Sequence, residues 1–171
     1  MSAMERLQIY HTPTEAGGST APDARDAPWV LVVDDELVVR DLLQRFLALE
    51  GYRVVCAADG FEALEALRAH PGVFRLVILD VLMPRMDGYE AFQEIRAMHL
   101  DMPVIAMSGF APGERVAEII AQPGTGFIAK PFVLGDVLVK VESMLGHAVR
   151  PRSTWLTEPS SSPGRLEGIT D

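Results

Sequence analysis

The run Leu76-Val77-Ile78-Leu79 carries no polar alternation, stops at Asp80 and turns at Pro84. A strand that is apolar on both faces must be covered on both, as in the interior of a parallel sheet flanked by helices. Two more runs end in the same manner. Trp29-Val30-Leu31-Val32-Val33 stops at Asp34 and Asp35, and Phe127-Ile128-Ala129 stops at Lys130. Open α/β sheets bind their ligands beyond the carboxyl ends of the strands. Three acids and a lysine at strand ends therefore point to a divalent-cation site built around a phosphorylatable aspartate.

The alternation extends along most of the chain. Apolar runs predict strands near 29–34, 52–57, 75–80, 103–108 and 125–129. A helical pattern follows each one, over 36–50, 60–70, 88–98, about 113–121 and 134–146. The first helix places Val39, Leu42, Leu43, Phe46 and Leu47 on one stripe and stops at Gly51, a C-terminal cap signal. The fourth uses Val116, Ile119 and Ile120, and the last uses Leu134, Val137, Leu138, Val141, Met144 and Leu145. Five β-α units with short connections predict an α/β fold: a three-layer, doubly wound, five-stranded parallel sheet. Right-handed crossovers put every strand-to-helix loop on one edge. Asp34, Asp35, Asp80, Ser108 and Lys130 are then expected to meet there.

The 171 residues are enough for one ordinary domain, predicted over 29–147. Residues 1–28 and 148–171 mix Pro, Gly, Ser, Thr and charge without any period, and are expected to be flexible segments. The balance of 15 Lys and Arg against 24 Asp and Glu gives a net charge of −9. That charge argues against a nucleic-acid partner and against anchoring on an anionic membrane. There is no apolar run near the roughly 20 residues that span a bilayer, and no amino-terminal signal pattern. A cytoplasmic location is expected. The lone Cys56 lies in an apolar stretch and reads as a small core hydrophobe. His11, His70, His99 and His147 lack metal-ligand spacing.

Four motifs occur in order, each at a predicted strand end: Val-Val-Asp-Asp-Glu (32–36), Leu-Asp-Val-Leu-Met-Pro (79–84) with Met-Asp-Gly (86–88), Met-Ser-Gly (107–109) and Ala-Lys-Pro-Phe (129–132). Together they resemble the response regulator receiver domain, the phosphoacceptor module of two-component signalling. The resemblance runs from about Trp29 to His147 and implies a flavodoxin-like (βα)5 fold with strand order 2-1-3-4-5. It also implies Asp80 as phosphoacceptor and metal ligand, Asp34 and Asp35 as Mg²⁺-site acids, and the backbone carbonyl of Leu82 as a further metal ligand. Ser108 would be the switch hydroxyl, Lys130 the phosphoryl-binding lysine and Phe127 the aromatic switch residue. The Lys130-Pro131 peptide is expected to be cis.

The chemistry accounts for these residue types. A carboxylate attacking a phosphohistidine approaches a group that is itself anionic, so positioning and charge neutralisation dominate. Mg²⁺ takes hard oxygen ligands, and lysine offers a compact, movable positive charge. Taken singly, each residue has a plainer reading. Asp35 can be a helix N-cap, Asp87-Gly88 reads better as a turn and cap than as a ligand, and Phe127 can be permanent core. Leu82 and Phe110 lie two residues beyond Asp80 and Ser108, and neither can orient a hydrolytic water. A long-lived acyl phosphate follows.

The expected role is that of a signalling acceptor and not an enzyme acting on other substrates. Its partners would be a histidine kinase or histidine phosphotransfer protein and a downstream protein target, with homodimerisation open. Output would pass through the fourth helix, fifth strand and fifth helix. The chain can also be, or derive from, the terminal receiver of a hybrid sensor kinase: Met107-Ser108-Gly109-Phe110 and Gly126-Phe127-Ile128-Ala129-Lys130-Pro131-Phe132 look like such receivers, and Leu7-Gln8-Ile9-Tyr10 faintly resembles a kinase strand. An aspartate-nucleophile phosphatase of the haloacid dehalogenase type needs a second Asp where Leu82 stands. A non-phosphorylated scaffold is expected to have lost Asp80 or Lys130, and both are present.

Overall fold

The computed structural model describes residues 27–98, 101–109 and 113–146. Within them, five strands alternate with five helices: β1 (Trp29–Val33), α1 (Leu37–Leu49), β2 (Arg53–Ala57), α2 (Gly60–Ala69), β3 (Phe74–Asp80), α3 (Gly88–Met98), β4 (Val104–Ser108), α4 (Glu114–Ile120), β5 (Thr125–Ala129) and α5 (Leu134–Leu145). Each strand pairs in parallel with its neighbours, and the order is β2-β1-β3-β4-β5. This is the doubly wound, flavodoxin-like sheet that the sequence predicts. Phe110, His147, the segment 148–171 and all of 1–28 except Ala27 and Pro28 lie outside the described residues.

Successive strand residues face opposite sides of a sheet, and here both sides are apolar. Val30, Val32, Leu76, Ile78 and Met107 share one buried cluster with Leu43 and Leu47 of α1 and Val137 and Val141 of α5. Leu31, Val33, Val77, Leu79 and Ala106 belong to a second, with residues of α2, α3 and α4 such as Leu67, Phe92 and Ile119. The unbroken apolar runs thus fill two cores at once.

The α1 sequence has two β-branched residues in a row, Val38 and Val39, each unfavourable in a helix by roughly half a kcal/mol. Burying Leu43 and Leu47 completely stabilises by roughly 1.5–3 kcal/mol apiece, so packing wins. The stripe is narrower than the spacing predicts. Leu42 is 45 % exposed, and Gln44 is buried in its stead. On α4, Ile120 is likewise turned to solvent, whereas Val116 and Ile119 are buried. Gly51 ends α1 as expected. It has φ 97°, and its N–H reaches Ala48 O while that of Tyr52 reaches Leu47 O at 3.0 Å. These are the two bonds of a Schellman cap, whose left-handed residue favours glycine.

Candidate phosphoacceptor and metal site

Period-2 alternation carries the site's chemistry to one edge. Asp34 continues the parity of Val30 and Val32, Asp80 that of Leu76 and Ile78, and Lys130 that of Ile128. The ladder extends just past the strand ends and fixes these backbones: Asp34 N–H donates to Ala57 O (3.2 Å), Val81 N–H to Met107 O (2.9 Å) and Lys130 N–H to Ser108 O (2.8 Å). Side chains mounted on paired strands are held far more tightly than side chains on free loops.

Lys130 joins the acids. Its Nζ lies 2.6 Å from Asp80 Oδ2, 2.7 Å from Asp34 Oδ2 and 3.4 Å from Glu36 Oε1. The peptide following it, Lys130-Pro131, is cis. Each buried acid also accepts one backbone amide two residues on: Glu36 N–H to Asp34 Oδ1 at 2.9 Å, and Leu82 N–H to Asp80 Oδ1 at 3.0 Å. These Asx turns fix both carboxylates and offer them donors in place of water. Arg40, in the first turn of α1, reaches back to the carbonyl of Asp34.

Asp34 is completely buried and Asp80 nearly so. Burial pushes the Asp34 carboxyl above its ordinary value, and this outweighs the bonds from Lys130 and from the Glu36 amide that favour ionisation. Burial alone would depress the Lys130 ammonium, but its bonds and charge pairing with Asp34 and Asp80 prevail and raise it above the usual lysine range. Each partner gives the other's charged form some of what water no longer can.

Asp34, Glu36 and Asp80 each offer a carboxylate oxygen, and these oxygens lie within 4.8 Å of one another. Hard anionic oxygens in a tight group suit a divalent ion such as Mg²⁺. Asp35, which the resemblance implies as a metal-site acid, is exposed, as is Glu36. Glu36 joins the carboxylates of Asp34 and Asp80 here, and the bond from its N–H to Asp34 Oδ1 holds its backbone beside them. Glu36 is also the N-cap position of α1, so Asp35 does not cap the helix.

The remaining predicted residues lie nearby. Ser108 is buried at the end of β4, and its parity is that of Val104 and Ala106. Phe127 pairs with Ala106 across the β4–β5 ladder and packs, partly buried, against the α2–α4 core. Ser108 and Phe127 therefore share a face. Leu82 projects into solvent, 55 % exposed. Asp87 is a cap, as expected: its Oδ1 accepts Glu90 N–H at 2.9 Å, and its own N–H donates to Glu90 Oε2.

Residues 30–142 match the model of the response regulator receiver domain. Among curated relatives, "Response regulator MprA" of Mycobacterium leprae (strain TN) is 37% identical over 118 residues, 68% of this chain and 50% of that protein. "Sensor kinase CckA" of Brucella abortus (strain 2308) is 38% identical over 125 residues, 73% of this chain and 13% of that protein. The chain thus spans about half the length, or less, of these relatives. Among solved structures, the Vibrio cholerae chemotaxis protein CheY4 superposes with a TM-score of 0.64 at 31% identity, covering 70% of this chain and 99% of that one. The receiver domain of NtrX from Brucella abortus gives 0.63 at 34% identity, with 68% and 98% covered.

Proposed function

Since this chain belongs to the response regulator receiver domain family of two-component signalling, we propose that Asp80 accepts a phosphoryl group from a phosphohistidine and that the receiver spans 29–147. The observation that carries the reading is Lys130 Nζ within 2.7 Å of both Asp80 and Asp34. A nucleophilic carboxylate at a strand end is thereby held beside a fixed acid and a mobile cation.

In the proposed reaction Asp80 supplies the attacking oxygen, and the histidine nitrogen leaves. Asp34, Asp35 and Asp80 with the Leu82 carbonyl would hold Mg²⁺, which when bound neutralises the charge between nucleophile and phosphoryl group. Lys130 meets a second phosphoryl oxygen, and the Ser108 hydroxyl turns to a third. Phe127, on the same sheet face as Ser108, then moves inward to fill the space that Ser108 leaves. The outcome is a shifted equilibrium at α4, β5 and α5, limited by what the two states contact differently. We take the partners to be a histidine kinase or histidine phosphotransfer protein and a downstream protein target, with a cytoplasmic site of action. None of the described helices is long and apolar enough to cross a membrane. The match to a segment of a sensor kinase favours a second architecture, in which this receiver belongs to, or derives from, a hybrid kinase.

Incubation with acetyl phosphate and Mg²⁺ tests the reading. A gain of one phosphoryl mass is expected, and Asp80→Ala is expected to abolish it; a gain that survives the substitution refutes Asp80 as acceptor. Leu82 and Phe110 leave hydrolytic water unoriented in this reading, so Leu82→Asn with Phe110→Glu should release phosphate faster, by about tenfold. An unchanged release rate rejects the tuning role.

A further inference from the structure

We propose that Glu36 is a positioning residue for Lys130: it receives the ammonium when Asp34 and Asp80 take up a divalent cation, keeping Lys130 paired at the mouth of the site. The inference rests on the reading of Asp34 and Asp80 as metal-site acids.

Lys130 now contacts the oxygens that would bind the ion, Asp80 Oδ2 at 2.6 Å and Asp34 Oδ2 at 2.7 Å. Two cations cannot share those oxygens without like charges in contact. Lys130 must shift, and its side chain is only 14 % exposed, so an ammonium left without a partner is costly. Glu36 is the third carboxylate around it, with Oε1 3.4 Å from Nζ.

Glu36 is built for a short exchange of partners. Its backbone is anchored on both sides, by its N–H on Asp34 Oδ1 at 2.9 Å and by its carbonyl accepting Arg40 N–H at 3.1 Å. Its carboxylate is free to move, with the side chain 63 % exposed, whereas Asp34 is sealed at 0 %. Without Glu36 the displaced ammonium loses the third carboxylate around it, and Lys130 competes harder for Asp34 and Asp80.

Calorimetric titration of the full chain with Mg²⁺ separates this role from direct ligation. Glu36→Gln is expected to weaken Mg²⁺ binding about tenfold when Lys130 is present, and by less than about threefold in a Lys130→Met background. Equal losses in both backgrounds would make Glu36 a ligand and overturn the proposal; so would no loss in either. Should Lys130→Met fail to fold, the lysine ammonium ¹⁵N signals decide. Mg²⁺ should move the Lys130 signal differently in Glu36→Gln than in the unsubstituted chain, and identical shifts overturn the proposal. A chain that takes up no Mg²⁺ sinks both this inference and the metal reading. Phosphoryl uptake lost in Asp80→Ala upholds Asp80 independently, whatever Glu36 does.

Discussion

Asp34 has no contact with solvent, and an ionised carboxylate in that position survives only because Lys130 and a backbone amide replace its water. Burial also governs Cys56, which lacks such a charged partner bond. Burial pushes its thiol up to about 12, with the Arg40 charge opposing and that of Asp41 adding. A raised folded-state value means that the native protein favours the neutral thiol. That contribution to stability is complete below the ordinary cysteine value and is lost as pH rises toward about 12. Only the thiolate reacts. Alkylation by iodoacetamide at about pH 9 should therefore be slower in the native protein than in urea, by roughly two orders of magnitude or more. Cys56 is the single cysteine, so the mass spectrum reports it directly. Comparable rates in both conditions would contradict the burial argument.

At the scale of elements, the start of α3 sets the geometry behind Asp80. A Cβ added at Gly88 would fall 2.0 Å from the Asp80 carbonyl oxygen and 2.7 Å from Val81 Cα. Backbone, not a flexible side chain, is the obstacle. Asp87, one residue earlier, caps the helix. The two substitutions should therefore differ in kind. Asp87→Ala loses a cap, about 1 kcal/mol, and leaves Asp80 in place. Gly88→Ala should cost about 1–3 kcal/mol and also slow phosphoryl uptake, because the Asp80 backbone must shift. Urea unfolding together with the acetyl phosphate mass assay checks this; a Gly88→Ala chain as stable and as reactive as its parent would refute it. The same element carries surface ties. Arg115 of α4 pairs with Asp87 and lies over the Tyr89 ring at 5.6 Å, and Tyr89 donates to Glu118. Arg85, with φ 70°, pairs with Asp59, the cap of α2. Pairs as exposed as Arg115 with Asp87 add little stability singly, but they orient α4 and the β3–α3 loop around the site.

Over the whole molecule, one parallel sheet serves two cores, and the site lies where its alternation runs out. Unbroken apolar runs identify doubly covered strands, and 3.6-residue spacing identifies their helices, so element order and boundaries were legible within a residue or two. Asp34, Asp80 and Lys130 were legible as well, because each interrupts an apolar run. That the Glu36 carboxylate lies with those of Asp34 and Asp80 was not legible: the bond from Glu36 N–H to Asp34 Oδ1 belongs to turn geometry and leaves no periodic trace. Nor did the spacing on α1 reveal that Leu42 faces out and Gln44 in, since an apolar stripe marks a helix face without giving its angle to the sheet. By itself, the sequence determined the α/β alternation, the sheet's double coverage and which charged residues end its strands, because hydrophobic periodicity is local. Only the tertiary structure decided which carboxylates share the Lys130 ammonium, because ångström distances between residues nearly a hundred apart depend on strand register and side-chain packing.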